Sequence, residues 1–353
     1  MSELMETLKL DYPVHSLDSR LFLPAGTEFS SESLNELMAA DKGEPYKTFP
    51  FLEHGTIHQD LLDIIQTPLY NMVLDGTFPL DLMKNTRTLQ PVLESLDYFK
   101  ENDFYTYQHS LTVFAMSINV ARYLLGKPEN WIKALMAGAI HDIGKTCVPL
   151  KILKKADPLL GADKRFLEHH ALAGFVLLSY FLKDYQSFAA KVAKEHHERR
   201  DGSGYPLGIA LEDRMVEIIA VCDVYDALLS PRPYRPTPYD NRTALEEITE
   251  MAQKGKFSWE VVQTLVSLNR KDRPSFREVK ISAEKRGKPP ANSVYGVIVK
   301  KEMLKEISCP NCLGSCKEKR TLSEGVEYVR YQCLSCGKEF DEDDLRDIEF
   351  EKE

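Results

Sequence analysis

Three things are scarce in this chain of 353 residues. Apolar runs are short. None is long enough to cross a bilayer, and the opening MSELMETLKLDYPV lacks the basic start and long apolar stretch of a secretory signal. A cytoplasmic protein with no membrane partner is therefore expected. Positive charge is also in deficit. Lysine and arginine total 45 against 54 aspartates and glutamates, a net charge of −9, whereas general nucleic-acid binding rests on an excess of cations facing phosphates. An anionic small substrate would need locally concentrated cations or metals. Cysteine is sparse before Cys309, where Cys147 and Cys222 stand alone in apolar contexts, while the other five crowd between Cys309 and Cys336. That distribution fits buried thiols and metal ligands in a reducing compartment, not a disulfide framework.

No internal repeat or low-complexity tract is present apart from the acidic end DEDDLRDIEFEKE, which reads as a solvated tail. The remaining composition, 43% hydrophobic and 28% charged, is that of an ordinary soluble chain with room for two or three domains. Residues 1–50, with RLFLPAGTEF followed by SSESLNELMAA, read as a small N-terminal α+β region of unknown role: a short strand pair, a Pro-Ala-Gly turn and a capped helix. Residues 51–102 read as a helical linker. Apolar residues then recur at helical spacing through SLTVFAMSINVARYLL, FLEHHALAGFVLLSYFL and MVEIIAVCDVYDALL, so 103–270 is expected to be an all-α catalytic domain. Residues 271–305 mix Pro, Gly and alternating apolar positions, as a linker or small strand pair would. Residues 306–353 form a separate cysteine module with the acidic tail.

Apart from His15, His54 and His58, every histidine falls between His109 and His197. His109 opens a helical stretch in YTYQHSLTVF; His141 and Asp142 end one in AGAIHDIGK, where Gly144 can supply a left-handed stop. His170 lies in the next, and His196 and His197 end another. A lone histidine on an amphipathic helix is usually solvated or hydrogen-bonded, and His169 keeps that reading because its neighbour His170 takes the pattern position. Asp223 is harder to dismiss. An unpaired carboxylate inside IIAVCDVYDALL would cost several kcal/mol unless it met a cation or metal. Imidazoles and carboxylates fixed on successive helices are what a bundle uses to hold metal in its core.

HDIGK, then HHERRDGSGYP, then DVYDALLSPRPYR resembles the HD-GYP group of HD-superfamily phosphohydrolases, bacterial cyclic di-GMP phosphodiesterases. The resemblance runs from about Asp103 to Leu268, includes YTYQHS and GKFSWEVV, and leaves both flanks uncovered. It implies a mainly α fold: an HD-superfamily helical bundle with the small N-terminal α/β region and a C-terminal zinc-ribbon-like module attached. It also implies that His109, His141, Asp142, His170, His196, His197 and Asp223 are metal ligands, with Asp142 bridging two ions. Lys145 would contact substrate phosphate and help protonate the leaving oxygen. Arg232 and Arg235 would hold the phosphates of cyclic di-GMP. The DGSGYP loop would lie beside the site, with Gly202 and Gly204 allowing its tight backbone, Tyr205 lining the pocket, and its outer face open to protein partners.

Two octahedral ions offer about twelve coordination positions, and seven side chains with one bridging carboxylate fill about eight, leaving about four for water and phosphate oxygens. A hydrolase needs those open positions; a storage site does not. The thiolate-free shell fits two divalent ions in the core, iron or manganese, with zinc also compatible. Some members of the resembled family bind a third ion through a glutamate four residues before the first histidine. Here that position is Tyr105, on the same helix face as His109, and a neutral phenol is a poor ligand.

Glu195 and Glu198 beside the histidines read as a solvated helix end rather than as orienters of ligands. Arg199 and Arg200 are either exposed or steering groups, and Asp201 fits a loop-fixing role. At the C-terminus, Cys309, Cys312, Cys333 and Cys336 have the C-x2-C-x20-C-x2-C spacing of a zinc ribbon, with Cys316 left over. One structural zinc in a protein-contact module is expected, and nucleic acid is disfavoured by the acidic tail. The expected activity is hydrolysis of cyclic di-GMP to the linear dinucleotide pGpG, and onward to GMP, by a monomer or homodimer. The alternatives are an HD phosphohydrolase for another cyclic dinucleotide, or a catalytically weak cyclic di-GMP receptor that signals through protein contacts.

Overall fold

The computed structural model describes residues 7–74, 76–126, 136–156, 159, 161–232, 235, 237–282, 285–290, 316–323, 326–333 and 339–340. Three helices are buried on nearly every side. They are α5 (Phe104–Leu125), α8 (His170–Leu182) and α10 (Arg214–Leu229), introduced here in chain order after α1 (Ser31–Ala40), α2 (Ile57–Gln66), α3 (Phe78–Met83), α4 (Gln90–Asn102), α6 (Leu150–Leu153) and α7 (Gly161–Glu168), with α9 (Phe188–Glu195) between the last two of the three. A helix apolar all round belongs in a core. α5 buries an unbroken run from His109 to Ala121, and α10 one from Val216 to Leu229. Helices α11 (Asn241–Gln253) and α12 (Trp259–Leu268) pack on this centre, where Val261, Val262 and Leu265 are fully covered.

Local chemistry sets the helix ends. Ser187 accepts a hydrogen bond from the Ala190 amide to start α9, Asp213 accepts from Met215 and Val216 to start α10, and Asp240 accepts from Thr243 to start α11. Gly126 stops α5 with φ +77°. The stretch around the HD pair departs from expectation. His141 and Asp142 fall between two 3₁₀ turns, Met136–Ile140 and Ile143–Cys147, rather than at the end of a helix, and residues 131–135 lie outside the described residues. Gly144 is not in the left-handed region. Its role is clearance: a Cβ there would sit 1.9 Å from the His170 carbonyl oxygen and 2.4 Å from the Gly174 nitrogen.

Residues 51–102 are more than a linker. Phe51, Ile57, Leu61, Tyr70, Leu93, Leu96 and Phe99 belong to the same apolar cluster as Phe114, Ile118 and Val221, because α2 and α4 each turn an apolar face toward α5. The N-terminal region forms two two-stranded antiparallel sheets, β1 (Leu8–Lys9) with β4 (Glu28–Phe29) and β2 (Val14–His15) with β3 (Leu21–Leu23). With α1 these share a second cluster with Phe175, Tyr180 and Ala190 on α8 and α9. Tyr12 stacks on Phe166 at 3.7 Å between centroids, and Asp41 pairs with Lys183 at 2.6 Å. A third pair, β5 (Thr48–Pro50) with β6 (Arg87–Leu89), ties the start of α4 to the segment before α2.

After α12 the chain runs back along α11. Val279 is buried, and the amides of Arg286 and Gly287 donate to Glu246. Among the described residues of 271–305 there is no strand. Beyond them, β7 (Cys316–Ser323), β8 (Val326–Cys333) and β9 (Glu339–Phe340) form a three-stranded antiparallel sheet in which Cys316 and Cys333 are register partners. Of the four expected zinc ligands, Cys309, Cys312 and Cys336 lie outside the described residues, and for Cys333 only the backbone is described.

Candidate metal centre

Five separate segments bring their polar side chains to one point. His109 comes from the first turns of α5, His141 and Asp142 from the junction of the 3₁₀ turns, His170 from the first position of α8, His196 and His197 from the end of α9, and Asp223 from the middle of α10. All except His197 are buried, and His197 is half-buried. Donor atoms of Asp142, His170, His196 and His197 lie within 4.8 Å of one another, and so do those of His109, His141 and Asp142.

Asp142 belongs to both groups, and its two oxygens divide between them. Oδ1 faces His170 Nε2 at 3.3 Å and His196 Nε2 at 3.9 Å; Oδ2 faces His141 Nε2 at 3.4 Å and His109 Nε2 at 3.5 Å. Asp223 sits between them too, with Oδ1 3.1 Å from His109 Nε2 and Oδ2 3.8 Å from His197 Nδ1.

Four of the five imidazoles are held from behind. His109 Nδ1 meets Asp226 Oδ2 at 2.6 Å, His141 Nδ1 meets the Gly138 carbonyl at 2.7 Å, and His170 Nδ1 meets that of Leu167 at 2.5 Å. His196 Nδ1 is 3.0 Å from the carbonyls of Val192 and Ala193. An acceptor at Nδ1 places a proton there, so that in the neutral ring Nε2 carries the lone pair aimed into the centre. The buried Nε2 atoms of His109 and His141 make no well-directed hydrogen bond, although carboxylate oxygens lie 3.1 to 3.5 Å away. Leaving such atoms unsatisfied in a core is costly, and a cation among them removes the cost. The donor set therefore fits two divalent ions sharing one carboxylate.

The electrostatics point the same way. Burial pushes His170 down to about 4 and His196 to about 3, and drives His197 well below its ordinary value, with neighbouring imidazoles adding to the effect on the last two. Neutral imidazole is the ligating form. His109 differs. Burial pulls it down, but the adjoining Asp223 and Asp226 carboxylates outweigh this and raise it to about 9. Burial would raise Asp142 and Asp223, yet Lys145 with His141, and His109 with His197, hold the two carboxyls well below the usual carboxylate range.

The cations expected to meet phosphate are placed unequally. Lys145 is buried with Nζ 2.6 Å from Asp142 Oδ2. The Arg232 guanidinium lies 4.8 Å above the Tyr105 ring, and that ring stacks on His109 at 5.6 Å. Arg235 has a different occupation from the one the resemblance implies. Its Nη2 donates to the carbonyls of Ala227, Leu228 and Ser230, closing the C-terminus of α10, and its backbone exchanges hydrogen bonds with that of Arg232.

The glycine-rich loop lies flat on the histidine pair. A Cβ on Gly204 would be 2.4 Å from both Glu198 Cα and the His197 oxygen, so this glycine is required by close approach, whereas Gly202 is required by its φ of +74°. Tyr205 stacks on His197 at 4.4 Å, and Asp201 Oδ1 accepts from the Ser203 amide at 3.0 Å. The solvated reading of Glu198 is overturned. The residue is fully buried, and Oε1 accepts from the amides of Leu207 at 2.7 Å and Gly208 at 3.2 Å, stapling the loop to the helix end. Glu195 is half-buried beside Lys194, Arg199 donates to the His196 and Glu198 carbonyls, and Arg200 is exposed near Glu217. His169 is buried, edge-on to Tyr12 at 5.6 Å, and lies outside both donor groups.

Two residues behind the centre, Asp226 and Tyr70, were not singled out from sequence, and Glu198 was read as solvated. A signal existed for Asp226, since D-x-x-D on one helix places both carboxylates on a shared face. No local signal marked Tyr70, whose hydroxyl donates to Asp226 Oδ1 at 2.5 Å across a separation of 156 residues.

Comparison with known proteins adds an independent line. Residues 99–261 match the family model described as the HD domain. A cyclic di-GMP phosphodiesterase of Pseudomonas aeruginosa is 38% identical over 178 residues, covering 49% of this chain and 42% of that protein. One from Thermotoga maritima is 34% identical over 194 residues, covering 54% and 52%. A 3'3'-cGAMP-specific phosphodiesterase of Vibrio cholerae is 38% identical over 134 residues, covering 37% and 30%. The chain spans about half the length of the first two relatives.

Proposed function

We propose that this chain is an HD-GYP phosphodiesterase that hydrolyses the 3'-5' phosphodiester of cyclic di-GMP to pGpG and onward to GMP, with two divalent ions, iron or manganese, held by His109, His141, Asp142, His170, His196, His197 and Asp223. The observation that carries the reading is the single carboxylate of Asp142 turned with one oxygen to each of two histidine groups. Bound ions supply Lewis acidity that makes a nucleophile of water near neutral pH and offsets phosphoryl charge.

The chain's own residues do the rest. Asp142 and Asp223 give the centre negative charge, and neutral His170, His196 and His197 hold donors in place without adding positive charge. Lys145 Nζ, anchored on Asp142 Oδ2 at 2.6 Å, meets the phosphate and delivers a proton to the departing ribose oxygen. Arg232, set over Tyr105, binds a phosphate of the dinucleotide, and Arg235 fixes the turn from which Arg232 projects. Tyr205, stacked on His197, walls one side of the pocket, and Gly204 keeps that wall close. The terminal cysteine pairs hold one zinc and, with the outer face of the loop, serve protein contacts.

The similarity to a Vibrio cholerae 3'3'-cGAMP-specific phosphodiesterase favours one second reading, in which a mixed cyclic dinucleotide is the substrate. Incubating metal-loaded protein with a panel of cyclic dinucleotides, and identifying products by chromatography, decides between the two. Asp142→Ala is expected to lose both core ions and all hydrolysis, because each group loses the ligand they share. Turnover by metal-replete Asp142→Ala protein would sink the two-ion reading.

A further inference from the structure

Tyr70 lies 29 residues before the HD-domain match begins at residue 99, yet it reaches the back of the centre. Its side chain is buried, and its hydroxyl donates to Asp226 Oδ1 at 2.5 Å. The other oxygen of that carboxylate, Oδ2, takes His109 Nδ1 at 2.6 Å, and Ser230 Oγ approaches the same oxygen at 3.3 Å. The turn that carries Tyr70 is itself clamped to the core. Asn119 on α5 donates to the Val73 carbonyl at 3.0 Å, and Arg273 donates to that of Met72 at 3.0 Å. A three-part chain thus runs from a segment outside the matched domain to one imidazole of the centre, and none of the other histidines has a comparable one. His141, His170 and His196 are held by backbone carbonyls, which their own local helices supply.

We infer that Tyr70 and Asp226 are positioning residues for metal binding: together they fix the His109 ring and its Nδ1 proton, so that Nε2 is held toward Asp142 and Asp223, and the segment before the domain thereby tunes the affinity of the ion on the His109 side. A carboxylate behind a ligating imidazole fixes its tautomer and raises its basicity. With Oδ1 taken by the phenol, the carboxylate plane cannot rotate away from Nδ1 without giving up a buried hydrogen bond. This inference rests on the two-ion reading above.

Manganese(II) is the probe, since it favours imidazole and carboxylate over the thiolates of the terminal module. Binding to the full-length protein is followed by the free-ion spin resonance signal, beside the melting temperature of the metal-free protein. Tyr70→Phe keeps the ring and removes only the donor. It is expected to weaken one of the two ions by about tenfold, the low end of what loss of an outer partner costs, and Asp226→Ala by up to about a hundredfold, with the other ion within about twofold of wild type. In the Asp226→Ala background, Tyr70→Phe should add nothing. Tyr225→Phe is the control. It sits on the same helix and loses a buried hydroxyl that donates to Asn241 and Asn269, so it lowers the melting temperature comparably while leaving both affinities unchanged. Wild-type affinities in Tyr70→Phe, or equal weakening of both ions there and in Tyr225→Phe, would overturn the inference, provided His109→Ala loses an ion. If His109→Ala keeps both ions, His109 is not a ligand, and that part of the two-ion reading fails together with this inference.

Discussion

Replacing Gly204 by alanine isolates what the glycine-rich loop contributes. The new Cβ would lie 2.4 Å from Glu198 Cα and from the His197 carbonyl oxygen, and 2.7 Å from the Arg199 nitrogen. Ordinary contact begins at 3.4 Å, so the loop must retreat by at least 3.4 − 2.4 = 1.0 Å. All three obstructing atoms are backbone, and none can swing aside. Two contacts of the same loop then open: the Tyr205 ring on His197, now at 4.4 Å, and the Leu207 amide on Glu198, now at 2.7 Å.

Overpacking of this kind costs about 1–3 kcal/mol, which a helical core of this size survives. A misplacement of about 1 Å at a reacting centre costs on the order of a hundredfold in rate. Gly204→Ala protein should therefore melt a few degrees lower, keep its core metal, and lose about a hundredfold in kcat/KM for cyclic di-GMP, read by product chromatography at matched metal content. Gly202→Ala is the internal comparison. It forces an alanine to φ +74° at about 1–2 kcal/mol, with the nearest atom at 3.1 Å, and should damage stability to a similar degree but activity less. Wild-type turnover in Gly204→Ala would refute the idea that the loop acts through its closeness to the histidine pair.

Arg232→Ala should raise KM for the dinucleotide with metal content unchanged, because its guanidinium rests on the Tyr105 ring rather than among the metal-facing donors; loss of metal would assign it another role. Tyr105→Glu places a carboxylate one turn from His109 in a position now filled by a ring stacked on that imidazole, and is expected to raise the core manganese count from about two to about three by elemental analysis; an unchanged count would show that the position does not face the cavity. Asp41, lowered from 3.8 to about 2 by Lys183 and Tyr180, contributes stability above pH 4 that fades as pH falls toward 2. Asp41→Asn should therefore cost about 0.2–1 kcal/mol at pH 7 by urea denaturation, with the difference from wild type shrinking between about pH 4 and pH 2, and a difference independent of pH would mean that the pair is not what holds the N-terminal region on α8.

What could be read from the chain alone followed the range of the interactions concerned. Helical spacing was visible wherever a helix has one neighbour or many, so the α-rich core from residue 103 onward was legible. So was the convergence of the seven donor residues, because each occupies a motif whose order survives in sequence. The region before residue 103 was harder. Apolar spacing in α2 and α4 announces helices without saying what they cover, and only the shared cluster with Phe114 and Val221 shows that 51–102 completes the core. Gly144 and Gly204 illustrate the same limit. Their abundance in turns suggested conformational freedom, whereas the requirement at both is clearance from a backbone that is remote in sequence or, for Gly204, six residues back.

Glu198 and Arg235 carry this further, since each is a charged residue read as facing solvent or substrate, and the actual partners of both, as of the unassigned Asp226, are inside the fold. A buried charge needs compensation, and here backbone supplies part of it: Glu198 Oε1 accepts from two loop amides, and Arg235 donates to three carbonyls at a helix end. Asp226 finds it from a histidine and a tyrosine. Each of the three holds a group beside the centre: the loop carrying Tyr205, the turn carrying Arg232, and the ring of His109. On the proposed reading the direct contributors lie in recognisable motifs, while their placement depends on residues one layer out that the fold brings together. Substitutions in that outer layer should accordingly change affinities and rates by graded amounts while leaving the fold in place, in contrast to the complete loss expected of Asp142→Ala.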